Sequence, residues 1–85
     1  METRIALIGI IVENMESTEK INQLLHEYQQ YILGRMGVPY REKSVCIISV
    51  AVDAPQNEIS ALSGKIGKLK GVSIKTAYSG VVTDE

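Results

Sequence analysis

An α+β fold with the element order βαββαβ, the ferredoxin-like arrangement in which two helices cover one face of an antiparallel sheet, is predicted by three observations. Arg4 to Glu13 and Lys43 to Asp53 are dense in Ile, Val and Leu, in the manner of strands buried on both faces. Two other stretches, Ser17 to Leu33 and the segment after Pro55, repeat apolar residues at helical spacing. Val72 to Tyr78 alternates apolar with polar side chains, which is the pattern of a strand with one wet face or at an edge.

Each element has its own physical signature. The first strand, Arg4 to Glu13, is too short to span a membrane and has no small-residue cleavage site after it, so neither a membrane span nor a secretory signal accounts for it. In the first helix Ile21, Leu24, Leu25, Tyr28 and Ile32 share a face. Ser17 or Thr18 is expected to cap its start, Glu16 and Glu19 suit the positive end of its dipole, and Gly34 is expected to end it. Gly34 to Arg41 then reads as a hinge, because Gly34 and Gly37 are conformationally free and Pro39 pushes Val38 toward an extended conformation. Tyr31 to Arg41 is nevertheless long enough to supply a short extended segment that pairs with Lys43 to Asp53. Pro55 suits the first turn of the second helix, in which Ile59, Leu62, Ile66 and Leu69 keep helical spacing. Gly64 and Gly67 weaken that helix and so predict close backbone approach there, with Lys70-Gly71 closing it. The polar tail, Ser79 to Glu85, is expected to fray.

The 85 residues are expected to form a single domain, 1–85, with a small core. There is no Trp or Phe, so that core is aliphatic, with Tyr28, Tyr31, Tyr40 and Tyr78 the only aromatic residues. Nine Lys and Arg against ten Asp and Glu give a net charge of −1, which offers no whole-domain attraction for nucleic acid. The one cysteine, Cys46, sits in a strand pattern and points to a reduced, cytoplasmic protein. Because Ile5 to Val12 and Val45 to Val52 are apolar on both faces, the sheet face away from the helices needs a cover. A second copy of the chain, in a homodimer or higher homo-oligomer, is the expected one.

No catalytic constellation emerges: no nucleophile is paired with a base, and an enzyme is not expected. His26 and Cys46 fall short of a zinc ligand set, so neither metal nor cofactor is expected. Gly64-Lys65-Ile66-Gly67-Lys68 lacks the full phosphate-loop spacing and follows a helical pattern. Lys65, Lys68, Lys70 and Lys75 read as a solvated, mixed-charge surface interrupted by acidic residues. Arg35 and Arg41 are better binding candidates, because they lie on a glycine-containing segment that a ligand can approach closely. Met36 and Tyr40 accompany them there, and Asn14 lies in the turn before the first helix, where domains of this type often hold small molecules.

Four stretches together resemble one small family: Arg4 to Asn14, Leu24 to Tyr28, Gly34-Arg35-Met36-Gly37-Val38-Pro39-Tyr40-Arg41, and Leu62 to Gly67 followed by Gly71 to Thr76. The resemblance is to the iron-only hydrogenase system regulators and runs from about Arg4 to Ser79. It implies an ACT-like fold, also similar to the C-terminal domain of nickel-responsive repressors, and an association with hydrogenase maturation. The implied role is a non-enzymatic regulatory or sensor module that binds a small-molecule ligand or a hydrogenase-maturation protein. The alternative is a transcriptional regulator that binds DNA directly as an oligomer, although the single domain is expected to leave no length for a separate DNA-binding module. Two departures narrow the implication. Glu13-Asn14-Met15-Glu16 replaces the Asp-x-Pro-Gly type of turn seen in amino-acid-binding ACT domains, and His26 and Cys46 are too few for a nickel site of the repressor type.

Overall fold

A computed structural model describes residues 2–84, which form one four-stranded antiparallel sheet and two helices. The elements are β1 (Glu2–Val12), α1 (Glu16–Glu27), β2 (Ile32–Tyr40), β3 (Val45–Ala54), α2 (Gln56–Gly67) and β4 (Val72–Asp84). The order across the sheet is β2-β3-β1-β4, so the two most apolar strands lie in the centre. This is the predicted α+β, ferredoxin-like βαββαβ arrangement. No helix among the described residues is long and apolar enough to cross a membrane.

Register explains the core. Ile8 faces Val50 and Ile10 faces Ile48 across the central pair, and all four side chains point to the helices and are buried. Against them pack Ile21 and Leu25 of α1 and Ile59, Leu62 and Ile66 of α2. Each such side chain contributes about 1.5–3 kcal/mol through burial, the dominant favourable term in so small a domain.

Helix α1 starts differently from expectation. Asn14 Oδ1 accepts a hydrogen bond from the Glu16 backbone N–H at 3.0 Å, so Asn14, not Ser17 or Thr18, satisfies the first orphan donor. Ser17 is instead buried and its hydroxyl donates to the Lys70 carbonyl at 2.7 Å. Glu13 N–H donates to the Gly71 carbonyl at 2.7 Å, so the β1–α1 and α2–β4 turns are laced together. Gly71 is the only glycine of the described residues with positive φ, at 68°. A Cβ there would stand 2.6 Å from Asn14 Cβ and 2.9 Å from its backbone nitrogen.

Three expectations are corrected. The helix ends at Glu27, not Leu33: a 3-10 turn, Gln29–Tyr31, follows, and Ile32 is already extended with φ −87° and ψ 122°. Ile32 satisfied the helical spacing, but it pairs with Val52 and packs on the core as a strand residue. Gly34 and Gly37 therefore lie within β2, and the chain reverses later, at Arg41–Lys43, where Ser44 takes the left-handed conformation with φ 53°. Finally the tail does not fray through Asp84. β4 continues past a register shift opposite Ile5, and Val82, Thr83 and Asp84 pair with Arg4, Thr3 and Glu2. Glu85 lies outside the described residues.

The α2 glycines divide. A Cβ at Gly67 would meet Ile74 Cγ2 at 3.3 Å, so a strand side chain makes the close approach expected there. Gly64 faces open space, and its expected backbone approach is absent. Next to it, the Lys65 ammonium donates to the hydroxyl of the buried Tyr28 at 2.9 Å, linking α2 to the end of α1. That bond raises the lysine's pKa above its usual value, aided by Glu27 and Glu58.

Replacing Gly71 by Ala is expected to cost about 1–3 kcal/mol in urea unfolding, from the left-handed backbone and the collision with Asn14. Gly64→Ala is expected to stabilise by ~0.5–1 kcal/mol, because the helix gains propensity and nothing is displaced. Lys65→Met should lower stability at neutral pH. A raised folded-state pKa gives stability that is present below the unfolded value and lost as pH rises through the folded one. The gap between wild type and Lys65→Met, followed by unfolding across pH, therefore narrows on the alkaline side.

Candidate functional site

The five candidate binding residues fall in separate places. Arg35 sits opposite Val50 on the helix side of edge strand β2, and its Nη2 donates to Asn22 Oδ1 of α1 at 2.7 Å. With His26 and Gln29 it rims a depression of about 390 Å³ whose floor is Leu25 and Ile32. Asn22, which bonds Arg35, and His26, which lines the same depression, were missed. Their spacing of four on one helix was visible, but the end of α1 and the course of β2 had to be known before either could be placed beside the arginine.

At the other end of β2, Tyr40 and Arg41 line a second depression, of about 360 Å³, with Met15, Pro39, Ser44 and Val45. The Tyr40 hydroxyl donates to Glu42 at 3.1 Å. Asn14 is occupied in shaping the α1 start and bearing on Gly71. Met36 faces away from the helices opposite Ser49 and is 61% exposed. Arg35 and Arg41 thus serve different hollows.

The Arg35 depression is rimmed by polar side chains. Its lining carries a guanidinium, an imidazole and two carboxamides, with no carboxylate among them. Asn22 holds one arm of the guanidinium, and among the described residues no other side chain bonds Arg35, so its remaining N–H groups can donate in a fixed fork to a planar anion. Among the described residues, no three His, Cys, Asp or Glu side chains gather as metal ligands. His26 lies near the start of β2 and Cys46 opposite Pro39 at its end, with Cys46 half-buried against the core.

The largest uncommitted feature is the sheet face opposite the helices. Leu7, Ile11, Ile47 and Val38 are each 42–50% exposed there, although two of them lie on the central strand β1. Gly9 sits between Leu7 and Ile11 on this face, opposite Ser49, and leaves a hollow of about 330 Å³ bounded by Ile11, Ile47 and Lys75. The need for a cover was legible in the doubly apolar strands. The hollow was not, because it depends on which residues stand opposite Gly9.

Comparison with known proteins adds identity to this geometry. Residues 4–76 match the family described as "TM1266-like: Iron-only hydrogenase system regulator, putative". The uncharacterized protein TM1266 from Thermotoga maritima superposes with a TM-score of 0.86 at 35% identity, covering 89% of this chain and 96% of that one. The C-terminal domain of the MgtC protein from Mycobacterium tuberculosis shares the fold, with a TM-score of 0.70 at 8% identity over 89% of this chain and 87% of that one. A curated protein named "Putative nickel-responsive regulator", from Saccharolobus solfataricus, is 26% identical over 66 residues, covering 78% of this chain and 49% of that one. The chain spans about half the length of the curated relatives it matches. With a family match over most of its length and a solved relative that shares its fold at 35% identity, the chain belongs to the iron-only hydrogenase system regulator family.

Proposed function

We propose that this protein is a non-enzymatic regulatory module of an iron-only hydrogenase system, working in the cytoplasm as an oligomer that binds a small ligand or a hydrogenase-maturation protein. The observation that carries the reading is the family match over residues 4–76. The local chemistry agrees with it. Arg35 is held by a neutral amide, in a hollow with donors and no acid, which suits recognition of an anionic group better than proton transfer. Tyr40 and Arg41, beside Met15, form a second contact surface at the far end of β2.

Direct DNA binding by an oligomer is the alternative. The curated relatives are named only as regulators, which leaves direct DNA binding open, while the net charge of −1 weighs against binding by this domain alone. A gel shift with the hydrogenase promoter region at graded salt separates the two; a specific shift that weakens with salt would favour the alternative.

The test of the leading reading is Arg35→Ala in a host that makes an iron-only hydrogenase. Loss of one exposed hydrogen bond to Asn22 should change folding stability by no more than about 1 kcal/mol. Hydrogenase transcript or activity should shift several-fold toward that of a strain lacking the protein, at equal protein level. Wild-type regulation by the variant would remove Arg35 from the site.

A further inference from the structure

We infer that the open sheet face is the contact surface for a second copy of this chain, with the two sheets packed face to face and a ridge of each copy seated in a trough of the other. The inference rests on the oligomeric reading above and specifies its geometry.

Register divides the open face into rows that run across the strands. One row reads Val38, Ile47, Ile11 and Ser73, and its three apolar side chains form a ridge. The next reads Met36, Ser49, Gly9 and Lys75, which is low in the middle because Gly9 has no side chain and Ser49 a short one. This is where the hollow of about 330 Å³ lies. A two-fold axis running across the strands between these rows exchanges ridge and trough. Ile11 and Ile47 of each copy then lie over Gly9 and Ser49 of the other, so one surface supplies both halves of the fit.

Charge and area favour a copy of the chain as the occupant. Of these two rows only Lys75 is charged, and it lies on edge strand β4, where its ammonium reaches solvent at the rim of the contact; the other charge on this face, Asp53, lies opposite Ile5 toward the end of the sheet. Four strands spaced about 4.8 Å apart and about nine residues long present roughly 600 Å² per copy in projection, or about 1,200 Å² for the pair. That reaches the lower bound of specific, stable interfaces. A net charge of −1 sets little repulsion against it.

Sedimentation velocity at micromolar to tens of micromolar concentration provides the test, with far-UV circular dichroism as the check on folding. Wild type is expected to sediment as a dimer or a multiple of one. Gly9→Leu fills the trough, yet in a single copy a Cβ at Gly9 meets nothing nearer than the Lys75 carbonyl at 3.7 Å. It should fold normally and raise the dimer Kd at least tenfold. Met36→Glu, at an exposed position in the same row, should do the same and guards against a folding defect in the first variant. Oligomers that persist unchanged in both folded variants would overturn the face-to-face contact while leaving the oligomeric reading intact. A wild-type monomer would overturn both.

Discussion

Strand β1 carries apolar side chains on both faces, and the rest of the structure is an answer to that constraint. Its Ile8, Ile10 and Val12 are sealed under the helices, while Leu7 and Ile11 look the other way and stay about half exposed. Antiparallel neighbours on both sides satisfy its backbone, leaving the side chains as the only unsettled account. Two twelve-residue helices cover one face of a four-stranded sheet. The described residues supply no third layer, and the other face of the sheet is left apolar and open.

The same layering sets where the hollows beside β2 lie. The helices and the open face flank the central pair, and the two hollows lie toward the ends of edge strand β2, a polar one at Arg35 and a largely apolar one at Tyr40. Arg35 reaches the α1 side through Asn22, and Tyr40 and Arg41 stand at the reversal marked by the left-handed Ser44. The other end of α1 is locked differently, by Ser17 on the Lys70 carbonyl, Glu13 on the Gly71 carbonyl and Asn14 against Gly71 itself. Asn14 therefore has a structural task that any ligand contact would have to share.

Much of this was legible in the sequence where a residue's neighbours along the chain determine its state. β-branched density placed β1 and β3, Pro55 placed the start of α2, and the alternation from Val72 placed β4. What was illegible depended on residues far apart in the chain. Ile32 fits a helix by spacing and a strand by pairing, and only its place opposite Val52 decides between them. The tail looked frayed because its composition is polar, yet pairing with Thr3 and Arg4 holds it in the sheet. All the candidate site residues but Asn14 come from one stretch of sequence, Gly34 to Arg41, which reads as a hinge with a short extended segment. As a strand it sends Arg35 and Met36 to opposite faces and Arg41 to the far end. Asn22 and His26, brought to Arg35 by the packing of α1, had no mark of their own.

The proposed cover of the open face is a second copy of the chain. An isotope-filtered NOE experiment on a mixture of labelled and unlabelled protein tests it most directly, because only contacts between copies survive the filter. Cross-peaks are expected from the Ile11 and Ile47 methyls to Gly9 and Ser49 of the second copy. Intermolecular cross-peaks confined to other surfaces, or none in a folded sample at tens of micromolar and above, would contradict it.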